Sequence, residues 1–130
     1  MSTKKDKFTS KDKFYMEIAL DLARSRHGLT GSNPSVGCVV VSSDKTIISI
    51  ANTGIGGSPH AEKKALEGIK IKAGTTLYTT LEPCVHTGKN PPCVDEIINS
   101  GVKKVVIACL DKNPLVRGKG LRKLKNSGIK

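Results

Sequence analysis

Two rhythms of apolar residues alternate along this chain: four-residue spacings typical of helices, and unbroken β-branched runs typical of buried strands. From residue 12 to 27, Phe14, Ile18 and Leu22 stand four apart with Tyr15, Ala19 and Ala23 beside them, which predicts a helix with one buried face. Residues 28–34 form a loop ending in the turn-forming pair Asn33-Pro34. Residues 36–41 are almost wholly apolar, a buried strand, and Ser42-Ser43-Asp44-Lys45 turns them into a second strand over 46–51, giving an antiparallel hairpin. A Gly-rich loop closed by Pro59 leads into a helix beginning at His60, with Ala61, Ala65, Leu66 and Ile69 as its apolar face and Gly68 near its end. Then come a strand over 75–81, a loop over 82–92, a short helix over 93–100 closed by Gly101, and a buried strand over 103–110. A loop over 111–120 and a last helix, packed through Leu121 and Leu124 to near Gly128, complete the order αββαβαβα. Such alternation predicts an α/β protein whose mixed sheet has an N-terminal antiparallel hairpin, then parallel strands with helices on its faces. Ligands bind such sheets beyond the carboxyl ends of the strands.

The 130 residues suffice for one domain with its own core. Residues 1–11 are polar and Lys-rich, expected as a disordered basic tail ahead of a domain over 12–130. No apolar run approaches the ~20 residues that would cross a bilayer, and the N-terminus lacks the apolar stretch of a secretory signal. The expectation is a cytoplasmic protein without membrane partners, in which cysteines bind metal or do chemistry rather than pair. The net charge of +11 suggests nucleic acid at first sight, but residues 1–13 carry +3 and residues 117–130 carry +6 of it. That distribution fits solvated ends, and two Phe, two Tyr and no Trp supply little for base stacking, so no nucleic-acid partner is expected.

The chemistry lies in His60-Ala61-Glu62, Pro83-Cys84 and Pro91-Pro92-Cys93. Each residue alone has an ordinary explanation: a loop histidine, a first-turn carboxylate, two buried thiols. Together, flanked by Gly and Pro, one imidazole and two thiols suit a zinc ion with a fourth position open to water. Zinc lowers the pKa of bound water toward about 7. Glu62 would take that water's proton and pass it to a ring nitrogen and then to a departing amine, the division of labour of zinc base deaminases. His86 is the alternative fourth ligand, which would make the site closed and structural. Cys38 and Cys109, inside β-branched runs, are expected as core thiols.

Four stretches extend the pattern. They are Asn33-Pro-Ser-Val-Gly37-Cys-Val-Val, Gly57-Ser-Pro-His-Ala-Glu62, Thr80-Leu-Glu-Pro-Cys-Val-His-Thr-Gly-Lys89-Asn-Pro-Pro-Cys93 and Asp111-Lys-Asn-Pro-Leu-Val-Arg-Gly-Lys-Gly120. Over roughly residues 12–129 the chain resembles the cytidine deaminase-like superfamily, and within it the deaminase domains of bifunctional riboflavin biosynthesis proteins. Its two cysteines stand nine positions apart, unlike the Pro-Cys-x2-Cys of cytidine and tRNA adenosine deaminases. The resemblance implies a three-layer α/β/α cytidine deaminase-like fold and a zinc-dependent hydrolase. Its implied reaction deaminates 2,5-diamino-6-(5-phosphoribosylamino)pyrimidin-4(3H)-one to the 5-aminouracil compound. It implies His60, Cys84 and Cys93 as zinc ligands and Glu62 as the proton shuttle. It also implies Asn33, Thr53, His86, Lys89, Asp111 and Asn113 as substrate-binding residues. Lys89 could equally be a solvated loop lysine, and Asp111 and Asn113 a simple Asx turn before Pro114. Thr53 replaces a histidine common in the family and can donate a hydrogen bond but carries no charge. Relatives continue into a reductase domain and self-associate, so a homo-oligomer and a reductase on a separate or missing segment are expected. The other readings are a deaminase of free cytidine or tRNA bases, and a non-catalytic zinc-binding module.

Overall fold

The computed structural model describes residues 8–85, 92–114 and 116–130. Its first helix, α1 (Ser10–Ser25), starts two residues ahead of the expected point because Thr9 and Asp12 form a reciprocal capping box. The helix buries Asp12, Tyr15, Met16 and Ala19, and Phe14 stays 58% exposed. Tyr15 and Ala19 lie inward as expected with Ile18 and Leu22 half-buried beside them, but the stripe is turned toward Asp12 and Met16 and leaves Phe14 outside. Two contacts decide the rotation: the Tyr78 hydroxyl donates to Asp12 Oδ1 at 2.5 Å, and the Tyr15 hydroxyl donates to Lys45 O at 2.7 Å.

Strands β1 (Gly37–Val41) and β2 (Ile47–Asn52) form the expected antiparallel hairpin, with Cys38 opposite Ala51. Strand β3 (Thr76–Thr79) pairs antiparallel with β1, and β4 (Lys104–Ile107) pairs parallel with β3, giving the order β2-β1-β3-β4. As the innermost strand of the hairpin, β1 is buried along its whole length. Its side chains alternate: Val39 and Val41 pack under α1 with Tyr78, while Cys38 and Val40 face the other cluster. That second cluster gathers side chains from α2 (Ala61–Leu66), α3 (Cys93–Ser100) and α4 (Lys119–Asn126). At Gly37 an added Cβ would lie 1.8 Å from Ala19 O, so only glycine lets α1 sit this close to the sheet.

Both parallel strands are shorter than their apolar runs. β3 stops at Thr79 and β4 at Ile107, because the chain then leaves the ladder to enter the site. Cys109 therefore lies beyond the sheet and is exposed, which corrects its assignment to the core. β4 is also half-buried rather than buried, as the outer strand of the sheet. Beyond α4, Lys130 exchanges backbone hydrogen bonds with Lys103 and Val105 on the outer edge of β4.

Candidate zinc and proton-transfer site

His60 is the N-cap residue of α2, and Glu62 stands in that helix's first turn, so the short helix carries both into one cleft. Cys84 follows the end of β3, and Cys93 is the first residue of α3. The Cys93 N–H donates to Cys84 Sγ at 3.2 Å and the Val94 N–H to Cys84 O at 3.1 Å, which fixes the two cysteines against each other. His60 Nδ1 lies 3.1 Å from Cys93 Sγ and 3.8 Å from Cys84 Sγ, and the three donor atoms all fall within 4.8 Å of one another. Tetrahedral zinc, with Zn–N about 2.0 Å and Zn–S about 2.3 Å, requires N–S separations of about 3.5 Å. The observed pair straddles that value, so the donor set fits the ion.

The thiols prepare for a metal. Cys84 is drawn down because the Cys93 thiol donates to it; the Cys93 N–H and His60 add to this against the cost of burial. Cys93 is held well above its ordinary value by Cys84 and by burial. The pair therefore keeps one proton near neutral pH, which a metal binding both thiolates would displace. Glu62 is only 4% exposed. Burial pushes it up to about 7; its own N–H and His60 oppose the rise, and Cys84 adds to it. That value suits a group that both takes and gives protons near neutrality. Glu62 Oε1 also lies 3.9 Å from the buried Cys38 Sγ, so the thiol expected as plain core forms one wall of the carboxylate's niche.

The cleft encloses about 570 Å³, and its lining includes Asn33, Thr53, His60, Glu62, Lys63, Glu82, Cys84, Cys93 and Asp111. Asn33 Nδ2 donates to Gly57 O at 2.9 Å. Thr53 is buried, and its Oγ1 accepts the Val36 N–H at 2.9 Å and donates to Pro34 O at 3.2 Å. Its hydroxyl thus holds the strand that follows Asn33. Asp111 Oδ1 accepts the Asn113 N–H at 2.9 Å, an Asx turn at the cleft's rim with Asn113 exposed. His86 and Lys89 lie outside the described residues. Sequence reading passed over Glu82, a buried carboxylate among the lining residues, and Lys63, a cation beside Glu62. Glu82 has a sequence signal only in hindsight: an acid preceding Pro-Cys has no obvious partner nearby in the chain.

A mixed sheet that delivers one histidine, two cysteines and a buried carboxylate to a single cleft defines the zinc-type hydrolytic deaminase class. Residues 9–109 match the family described as the cytidine and deoxycytidylate deaminase zinc-binding region, and the chain belongs to that family. The riboflavin biosynthesis protein RibD of Aquifex aeolicus (strain VF5) is 55% identical over 119 residues, 91% of this chain and 33% of the relative. The diaminohydroxyphosphoribosylamino-pyrimidine deaminase of Buchnera aphidicola subsp. Schizaphis graminum (strain Sg) is 48% identical over 120 residues, 92% of this chain and 81% of the relative. Among solved structures, Acinetobacter baumannii RibD, form 1, superposes with a TM-score of 0.85 at 46% identity, over 92% of this chain and 33% of that one. The chain spans about a third of the length of the RibD proteins it matches. Among the described residues no helix is long and apolar enough to cross a membrane.

Proposed function

We propose that this chain hydrolytically deaminates 2,5-diamino-6-(5-phosphoribosylamino)pyrimidin-4(3H)-one to 5-amino-6-(5-phosphoribosylamino)uracil, the deaminase step of riboflavin biosynthesis. The observation that carries the reading is the buried Glu62 beside the His60, Cys84 and Cys93 donor set in an open cleft. The similarity to a relative named for this deaminase supports the choice of substrate. His60, Cys84 and Cys93 would hold zinc, which when bound supplies a Lewis acid that makes hydroxide available near neutral pH. Glu62 takes a proton from the attacking water, delivers it to the ring nitrogen, and carries a second to the departing amine. Walls of low polarity around Glu62, Cys38 among them, keep its proton on the reaction path rather than in bulk water. Asn33, Thr53, Asp111 and Asn113 bind or shape the substrate, with His86 and Lys89 as further binding residues by resemblance. On this reading, reduction of the product falls to a separate or missing reductase segment, and the chain acts as a homo-oligomer in the cytoplasm.

Ammonia release by the purified protein tests the reading. Turnover of the phosphorylated diaminopyrimidinone, loss on chelation and recovery with added zinc are expected, with cytidine inert. Turnover of cytidine alone would overturn the substrate, and full activity after verified zinc removal would overturn the site.

A further inference from the structure

Glu82 is 5% exposed, takes no part in the proton chemistry, and spends its carboxylate on the backbone. Its Oε1 accepts the N–H groups of Asp111 at 3.0 Å and Gly118 at 2.9 Å, and its Oε2 accepts the Leu121 N–H at 3.1 Å. Its own N–H donates to Cys109 O at 2.8 Å. One buried side chain thus clasps both ends of residues 111–118 and the first turn of α4. Gly120 admits the clasp: an added Cβ there would lie 2.3 Å from Pro83 O and 3.0 Å from Glu82 Cγ. The clasped segment carries Asp111 into the cleft, while Cys84, two residues beyond Glu82, faces the metal donors.

We propose that Glu82 is a positioning residue that sets substrate affinity by holding the Asp111 wall of the cleft, without touching the reacting atoms; this rests on the deaminase reading above. An ionised carboxylate is acceptor-only and satisfies several N–H groups at once. Without it, three N–H groups lose their partner, and residues 111–118 reach the binding geometry only by paying ordering entropy when substrate arrives. Glu62 stands on α2 with His60 as its cap, Cys93 begins α3, and Cys84 is held by the Cys93 and Val94 N–H groups, so the reacting constellation keeps its own supports.

Kinetics of Glu82→Gln and Glu82→Ala on the phosphorylated diaminopyrimidinone test this, with zinc content and amide hydrogen exchange measured alongside. Glu82→Gln keeps one acceptor oxygen and should raise KM about tenfold, with Glu82→Ala higher still, while kcat stays within about threefold. Zinc stays at one per chain. The Asp111, Gly118 and Leu121 amides should exchange faster without substrate in Glu82→Gln, and those of α2 should not. An unchanged KM, a fall in kcat alone, or loss of zinc from Glu82→Gln would each overturn the proposal. If Glu82→Ala does not fold, Glu82→Gln decides by the same readouts. A wild-type protein that releases no ammonia refutes the proposed function instead, and the exchange rates then still test the clasp, unaltered rates overturning it.

Discussion

Glu62→Gln separates what the fold pays for Glu62 from what the reaction gains. In the metal-free protein the carboxyl is displaced upward from 4.5 to about 7, which corresponds to about 3 kcal/mol held against its ionised form. The sign follows from which state binds more protons. A carboxyl raised in the fold stays protonated there between pH 4.5 and 7, while the unfolded chain has already released its proton. Stability is therefore lost as pH rises through that window, and the loss is complete above about 7. Gln fills the same niche and does not titrate. Urea unfolding of chelated wild type and Glu62→Gln at pH 5 and pH 8 reads the difference. Glu62→Gln should gain about 2.5 kcal/mol relative to wild type between those pH values. With zinc restored, the same variant should keep the metal and lose about 10²–10⁴ in kcat. Parallel stability curves, or near-normal turnover, would refute the assignment of Glu62 as a strained proton carrier.

Tyr78→Phe removes the hydroxyl that reaches Asp12 from β3 and should cost about 1.5–3 kcal/mol, read by urea unfolding at pH 7. Burial opposes ionisation of Asp12, but the Thr9 N–H, the Tyr78 hydroxyl and the Thr9 hydroxyl outweigh it and hold its carboxyl low. That stabilisation is present above the ordinary carboxylate range and lost as pH falls through the depressed value, so the gap between variant and wild type should narrow in acid. Gly37→Ala should cost about 3 kcal/mol or more, because the new methyl meets the Ala19 backbone carbonyl rather than a movable side chain; an unchanged unfolding midpoint would refute the close approach of α1.

Order and type of the elements were legible because their periods differ, and the metal donors because their chemistry restricts residue type. The face of α1 was legible in part: Ala19, Ile18 and Leu22 pack toward the sheet as expected, but the rotation that leaves Phe14 outside depends on Asp12 and Tyr15. Their partners, Tyr78 and Lys45, lie 66 and 30 residues away, and no local pattern encodes such pairs. Strand ends were overrun for a related reason: apolar residues continue past Thr79 and Ile107, but the ladder stops where the chain turns toward the cleft. Glu82 stayed hidden because its partners are main-chain N–H groups 29 to 39 residues on, and a sequence displays side chains only.

Eight residues separate the two cysteines. Ligand geometry is fixed at the two ends of that interval, by the Cys93 N–H on Cys84 Sγ and the Val94 N–H on Cys84 O. Those bonds hold the thiols together whatever length of chain joins them, so lengthening the interval costs the metal site little beyond loop-closure entropy, which grows slowly with length. The metal donors thus set little constraint on how much chain joins them. Glu82 applies the same logic to the chain after β4: its carboxylate ties down Asp111 and Gly118, and Asp111 lines the cleft. Under the proposed function, variation confined to the residues between the cysteines should therefore alter substrate affinity before it alters whether the metal is held.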